Sequence, residues 1–391
     1  MKKILKTKAA VITAPTLTSR LVILSPEHSK MSPPPVRPKL QYWQKQLANR
    51  ITTVEQLDKK IRLTDKERED LLSMTARFRM GITPYYLSLI DKNNPDCPIR
   101  KQAIPTINEL NVREEELPDP LGDERRSPIK GITHRYPDRL LLYPTYQCAM
   151  YCRHCFRRRI VGQSDKTLTS EEMDKAIAYI QEHTEVREVI LSGGDPLFLP
   201  DEMLKSLLSR IKNIPHVRWI RIHSRVFVTL PYRITPTLAR ILKSVRPLSI
   251  ITHVNHPNEI TPQFKRAVDR ILCSGIPMFD QSVLLKGIND NHETLQELFY
   301  RLMESGVKPY YLHQCDLAQG VSHFRTSVQT GINLMKGLRG FISGLCIPTY
   351  MIDTPGGYGK VPINYDYIKS YENKMIQLET FKGEVRPYIE P

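Results

Sequence analysis

Cys148, Cys152 and Cys155 stand at C-x3-C-x2-C spacing in the run Tyr146-Gln-Cys-Ala-Met-Tyr-Cys-Arg-His-Cys-Phe-Arg-Arg-Arg159. Cubane iron–sulfur clusters normally take four cysteine thiolates, so three leave one iron open. An open iron can chelate the amino and carboxylate groups of S-adenosylmethionine, and that arrangement implies radical chemistry. The competing reading is structural zinc, which needs a fourth ligand. His154 is badly placed to join its own neighbour Cys155 on one ion, and zinc pairs usually read C-x2-C, although a distant fourth ligand is compatible with the spacing.

Three further groups carry candidate chemistry. In Ser192-Gly-Gly-Asp-Pro196, Gly193 and Gly194 let the backbone approach a ligand closely, with Asp195 near a helix start; an ordinary turn is the plain alternative. Following the cysteine loop by one unit, this segment suits the methionine end of S-adenosylmethionine. Asp353-Thr-Pro-Gly-Gly-Tyr-Gly-Lys360 lacks the G-x4-G-K-[ST] frame of a nucleotide P-loop. An amine presented from it can form a Schiff base with pyridoxal phosphate; a solvated loop cation is the alternative. Arg135, Tyr136 and Arg139 can clamp a phosphate because guanidinium groups match its oxygens. Arg157, Arg158 and Arg159 can draw a substrate carboxylate toward the cysteines, or form a solvated basic face.

These residues need a frame that brings them together, and the chain supplies a repeating one. Apolar runs at 140–146, 189–191, 219–222, 249–254, 278–285, 310–315 and 349–352 alternate with helical stretches near 171–183, 201–212, 236–244, 262–274 and 293–304. Repeated strand–helix units predict a parallel sheet, here an α/β fold with a partial (βα)6 barrel. Such barrels keep their chemistry in loops at the carboxyl ends of strands. The cysteine loop follows the first strand, Gly193 to Asp195 the second, His223 to Arg225 the third, and His253 with Asn255 the fourth. Gln281 lies on the fifth, Asp316 follows the sixth, and the 353–360 run follows the last.

Ahead of the barrel, 42–136 reads as a helical and then Pro-rich wrapping region. Thr53 with Gln56 has the form of a capping box, and Thr64 is expected to cap the next helix. Residues 1–41 form a basic arm in which eight Lys and Arg meet only Glu27 before residue 41. Four prolines between 33 and 38 suggest a disordered arm, with a targeting peptide as the other reading. The barrel is expected over 137–360 and a terminal segment over 361–391.

The formal charge of +16 on 391 residues, with 40% hydrophobic and 25% charged side chains, fits a globular protein. Without RNA-binding motifs or interleaved aromatics, that excess reads as a solvated surface or a site for anions; a nucleic-acid partner is not expected. No apolar run approaches the roughly 18 residues of a membrane helix, so no membrane partner is expected. Seven cysteines, an odd number with no pairing pattern beyond the motif, suit a reducing cytoplasm.

Taken together, the motifs resemble the lysine 2,3-aminomutase family of radical S-adenosylmethionine enzymes. The resemblance runs from about residue 42 to the end. It rests on the segments 80–91, His134 to Arg139, Met150 to Cys155, Leu191 to Asp195, Asn255 to Ile260, Gln281 to Leu285, His323 to Thr326 and Pro355 to Lys360. It implies a radical SAM-type partial barrel with an N-terminal helical appendage. It also implies an isomerase that needs a [4Fe-4S] cluster, S-adenosylmethionine and pyridoxal 5'-phosphate.

By that resemblance Cys148, Cys152 and Cys155 bind the cluster, and Lys360 holds pyridoxal phosphate with Arg135, Tyr136 and Arg139 around its phosphate. Arg157 takes the substrate α-carboxylate, and Asp316 and Asp353 its ε-ammonium. Gly193, Gly194, Asp195, His154, His253 and Gln281 lie near S-adenosylmethionine. The implied reaction moves the α-amino group of L-lysine to Cβ. An electron donor such as flavodoxin or ferredoxin is implied as a partner.

Two departures from the family pattern agree with each other: Asn291 replaces a zinc-ligating cysteine, and the cysteine-rich carboxyl tail is missing before Pro391. Zinc is not expected, and a homo-oligomer such as a dimer replaces the family's tetramer as the expectation. His313 stands where better-known relatives carry Tyr. The alternatives are β-lysine formation for elongation factor P modification, another cationic substrate such as arginine, and a basic zinc or nucleic-acid-binding module.

Overall fold

The computed structural model describes residues 40–75, 79–163 and 167–391, so the expected basic arm lies outside the described residues but for its last two. Within Gln41–Pro391 the centre is a nine-stranded sheet whose spatial order follows the chain. Strands β1 (Ile132–Tyr136) and β2 (Arg139–Thr145) pair antiparallel. From β2 the pairing is parallel through β3 (Glu188–Gly193), β4 (Trp219–His223), β5 (Leu248–Thr252), β6 (Met278–Leu284), β7 (Lys308–Gln314) and β8 (Thr349–Asp353). Strand β9 (Lys360–Pro362) returns antiparallel to β8.

Helices at Ser170–Glu182, Asp201–Lys212, Pro236–Ser244, Pro262–Leu272, His292–Glu304 and Val328–Leu338 cross over between successive parallel strands. Their starts are written locally. Thr169, Thr235, Thr261, Asn291 and Ser327 each accept a backbone N–H of the first turn, satisfying donors that have no intrahelical partner. In the fourth helix Phe264, Ala267, Val268 and Ile271 are buried, one stripe of a 3.6-residue period. The expected partial barrel is present. Asn291, singled out for the absent cysteine, is here a helix cap.

Pleating decides which side chains reach the cavity. Along β6, Met278, Asp280, Ser282 and Leu284 are buried while Phe279, Gln281 and Val283 are less so, the alternation of a strand with two unlike faces. Gln281 and Val283 border the cavity described below.

The sequence reading passed over β1, over β9 and over a separate sheet of β10 (Ile368–Glu372), β11 (Met375–Glu379) and β12 (Val385–Ile389). These strands pair antiparallel, and the first two owe their structure to neighbours rather than to an apolar run of their own. In the wrapping region the Thr53 box forms, and Thr64 accepts from Glu67 N–H at 3.2 Å. Further on, Leu117 N–H donates to the Leu317 carbonyl at 2.7 Å and Gly356 N–H to that of Pro120 at 2.9 Å. The segment is thereby tied across the mouth of the barrel.

Candidate active site

A cavity of about 600 Å³ opens at the carboxyl ends of the parallel strands. Each residue assigned above to a cofactor or to substrate borders it. Of the three consecutive arginines only Arg157 does. Arg158 turns away to Glu109 and the Gly320 carbonyl, and Arg159 pairs with exposed Glu124 at 2.6 Å.

At one end lie Cys148, Cys152 and Cys155, none in a disulfide. Burial raises the Cys148 thiol pKa, reinforced by the charges of Asp195 and the other two cysteines. Burial likewise pushes Cys155 up to about 11, with Cys152 adding to it. Three thiolates crowded in this pocket therefore need a compensating cation. Among the described residues no three or more His, Cys, Asp or Glu side chains are grouped to hold a metal ion. The donor chemistry, three free thiols on one loop, fits an iron–sulfur cluster with one open iron.

The glycines serve this loop as much as any ligand. A Cβ on Gly194 would lie 2.5 Å from the Gln147 carbonyl oxygen, and one on Gly193 (φ +101°) 2.8 Å from that of Thr145. Their missing side chains let the end of β3 press against the base of the cysteine loop. Asp195 is fully engaged with protein: its carboxylate accepts from Ser224 Oγ and from the backbone N–H groups of Leu197, Arg225 and Val226. Burial still raises its pKa to about 6.

His154, His223 and His253 are held neutral mainly by burial, with Arg225 or Arg221 as the next cause. Asn255 ties two of them together, 3.1 Å from His253 Nε2 and 3.3 Å from His154 Nε2.

At the other end, Lys360 Nζ lies 2.5 Å from Asp353 Oδ2, and its backbone N–H donates to Tyr136 Oη at 2.9 Å. His313 Nδ1 is 3.2 Å from the same Asp353 oxygen. Burial and the Lys360 charge lower its pKa to about 4. Arg135 sits between two acids, 3.6 Å from Asp123 and 3.8 Å from Asp353. Arg139 stacks 3.9 Å from the Tyr136 ring centre. Asp316 is raised to about 7, first by burial and then by the charge of Asp353.

Two residues at this end had no signal in the sequence. Asp123 accepts from Arg157 Nε at 2.9 Å, and Tyr143 Oη lies 2.9 Å from Arg157 Nη2. Asp123 stands in a Pro-rich stretch distant from every motif, and only the wrapping segment's path brings it here. Arg225, named earlier only as part of a strand-end loop, donates to Cys152 Sγ at 2.7 Å.

Six residues of the lining keep a buried polar atom without a hydrogen-bond partner: Asp123 Oδ1, Arg135 Nε, His154 Nδ1, His223 Nε2, His313 Nε2 and Asp353 Oδ1. Buried polar groups in folded proteins are nearly always paired. Donors and acceptors left at both ends of one cavity fit large polar ligands such as a nucleoside sulfonium and a pyridoxal phosphate beside the Lys360 amine.

Comparison with known proteins agrees with this geometry. The Radical SAM superfamily model matches residues 142–299 and the Lysine-2,3-aminomutase model residues 335–391. L-lysine 2,3-aminomutase of Clostridium subterminale is 50% identical over 349 residues, covering 89% of this chain and 84% of the relative. That of Acetoanaerobium sticklandii is 49% identical with the same coverage. Glutamate 2,3-aminomutase of Clostridioides difficile is 44% identical over 340 residues, covering 87% and 80%. These matches set aside the zinc or nucleic-acid module. The chain belongs to the lysine 2,3-aminomutase family of radical S-adenosylmethionine proteins, and it is an isomerase that works with a [4Fe-4S] cluster, S-adenosylmethionine and pyridoxal 5'-phosphate.

Proposed function

We propose that this chain moves the α-amino group of L-lysine to Cβ, giving β-lysine. The observation that carries the reading is the charge pattern around Lys360: a guanidinium, Arg157, and two carboxylates, Asp316 and Asp353, border one cavity. An amino acid with a carboxylate at one end and an ammonium at the other complements both. A glutamate side chain would instead add a third carboxylate to the acid pair, and like charges in a partly desolvated site repel strongly.

In this reading Cys148, Cys152 and Cys155 hold the cluster, and His154, His253, Gln281 and the 193–195 turn border S-adenosylmethionine. Lys360 anchors pyridoxal phosphate, with Arg135, Tyr136 and Arg139 toward its phosphate. When bound, these groups supply a carbon-centred radical and a carbonyl that carries the migrating nitrogen. The chain's own residues orient and neutralise. Arg157, steadied by Asp123 and Tyr143, takes the α-carboxylate, and Asp316 with Asp353 receives the ε-ammonium. Asp353 also fixes the position of the Lys360 side chain through their 2.5 Å contact. The imidazole of His313 on β7 contacts the Asp353 end of that pair at 3.2 Å. The wrapping segment limits the access of water to the reacting carbons.

The partners are a small amino acid and an electron donor such as flavodoxin or ferredoxin. A reducing cytoplasm suits seven unpaired cysteines, and a homo-oligomer is the expected assembly. No helix of the described residues is long and apolar enough to cross a membrane.

The test is an anaerobic assay of purified, reconstituted protein with L-lysine, L-arginine and L-glutamate, followed by chromatography of the β-amino acids. β-Lysine from free lysine, with no turnover of glutamate, is expected. Failure to convert lysine, with cluster and pyridoxal phosphate both bound, would overturn the assignment.

A further inference from the structure

Arg225 is buried, 8% exposed, on the loop after β4. All of its nitrogens are used: Nη1 donates to Cys152 Sγ at 2.7 Å, Nη2 to Gln102 Oε1 at 2.6 Å and Glu259 Oε1 at 2.8 Å, and Nε to the His253 carbonyl at 3.2 Å. Asp195 fixes the backbone beneath it by accepting from the N–H groups of Arg225 and Val226. Glu259, fully buried, is itself held by Tyr86 Oη at 2.7 Å and by the N–H groups of Asn255 and His256 at 2.7 and 3.2 Å. A guanidinium held this tightly cannot swing away from the thiol.

We infer that Arg225, held by Glu259, raises the reduction potential of the cluster through a charged N–H···S hydrogen bond to Cys152. This rests on the reading that Cys148, Cys152 and Cys155 bind that cluster. Reduction adds an electron beside sulfurs that already carry negative charge. A hydrogen bond to a ligand sulfur and a nearby cation both stabilise the reduced form, and both are recognised controls of such potentials. Glu259 acts in the opposite sense, but the guanidinium lies between it and the sulfur. Coulomb energy falls with distance, so the nearer positive charge dominates. Removing one member of the pair should therefore move the potential down, and removing the other should move it up. A residue needed only for folding would show no such opposed signs.

The experiment is a redox titration of the full-length protein, reconstituted anaerobically with iron and sulfide and free of S-adenosylmethionine, followed by electron paramagnetic resonance. R225Q should make reduction roughly tenfold harder, about 59 mV for one electron, and E259Q should shift the midpoint upward. An E259Q midpoint that is unchanged or lowered overturns the inference, whatever R225Q does, so the test survives an R225Q protein that fails to assemble. An R225Q midpoint equal to wild type overturns it too. A wild-type protein that binds no cluster removes the reading beneath it, an outcome distinct from a cluster whose potential ignores both substitutions.

Discussion

Asp353 and Lys360 are register partners across the β8–β9 hairpin, and their side chains meet at 2.5 Å between Oδ2 and Nζ. The turn between them closes through Thr354, whose N–H and Oγ1 both donate to the Gly359 carbonyl. Its glycines are needed for packing as well as for turning. A Cβ on Gly357 (φ +81°) would lie 2.5 Å from the Leu121 carbonyl oxygen, and one on Gly122 would lie 2.7 Å from that of Gly356. The lysine hairpin and the turn carrying Asp123 are thus pressed together, backbone on backbone.

D353N removes the charge that holds the Lys360 amine and one of the two acids offered to the substrate. Hydrogen bonds to charged groups contribute about 1.5–3 kcal/mol, so kcat/KM for lysine should fall about ten- to a hundredfold. Steady-state kinetics with cluster and pyridoxal phosphate content matched to wild type would check it. A loss under threefold would contradict the role.

Asp316 titrates near 7, raised by burial and by Asp353. As pH rises through that value the carboxyl loses its proton and becomes able to take an ammonium. The kcat/KM for lysine should therefore climb from pH 6 to a plateau above 7. D316N should lower the plateau and abolish that limb, which a pH series on both proteins would reveal.

D123N tests how the substrate carboxylate is positioned. Asp123 touches Arg157 at 2.9 Å and faces Arg135 at 3.6 Å, with both arginine side chains 10% exposed. Without its charge Arg157 keeps Tyr143 but loses its main anchor. KM for lysine should rise about tenfold while kcat changes less, since the group acts on binding geometry. An unchanged KM would show that Tyr143 alone suffices.

Asp280 lies on the buried face of β6, and burial raises its pKa to about 8. The Ser282 hydroxyl is 2.6 Å from Asp280 Oδ2 and 2.7 Å from the Val254 carbonyl oxygen. One hydroxyl proton cannot serve both acceptors, whereas a protonated Asp280 donating to Ser282 satisfies all three. A folded pKa raised above the unfolded value near 3.8 means that the folded state holds the extra proton. This stabilisation is complete below 3.8 and is lost as pH rises through 8. D280N should remove up to about 1.4 kcal/mol per pH unit of that decline, measurable by denaturant unfolding between pH 5 and 8. Equal slopes for the two proteins would refute the protonated state.

Much of this protein was readable in one dimension. The cysteine spacing, the alternation of apolar runs with capped helices, and polar residues at strand ends are local properties, because caps, strand periodicity and the reach of neighbouring side chains are set within a few residues. All seven parallel strands were read close to their observed bounds. Three things were decided elsewhere. Strands β1 and β9 form because a neighbouring edge offers its hydrogen bonds. Gly193 and Gly194 pack against the base of the cysteine loop while the Asp195 carboxylate holds the loop after β4, since what a buried carboxylate touches depends on which loop folds over it. Asp123, Arg225 and Glu259 became site residues only when the Pro-rich wrapping segment and the loops after β4 and β5 converged. Sequence spacing cannot encode that convergence, because such contacts join residues separated by tens to more than two hundred positions and are fixed by the packing of the whole barrel.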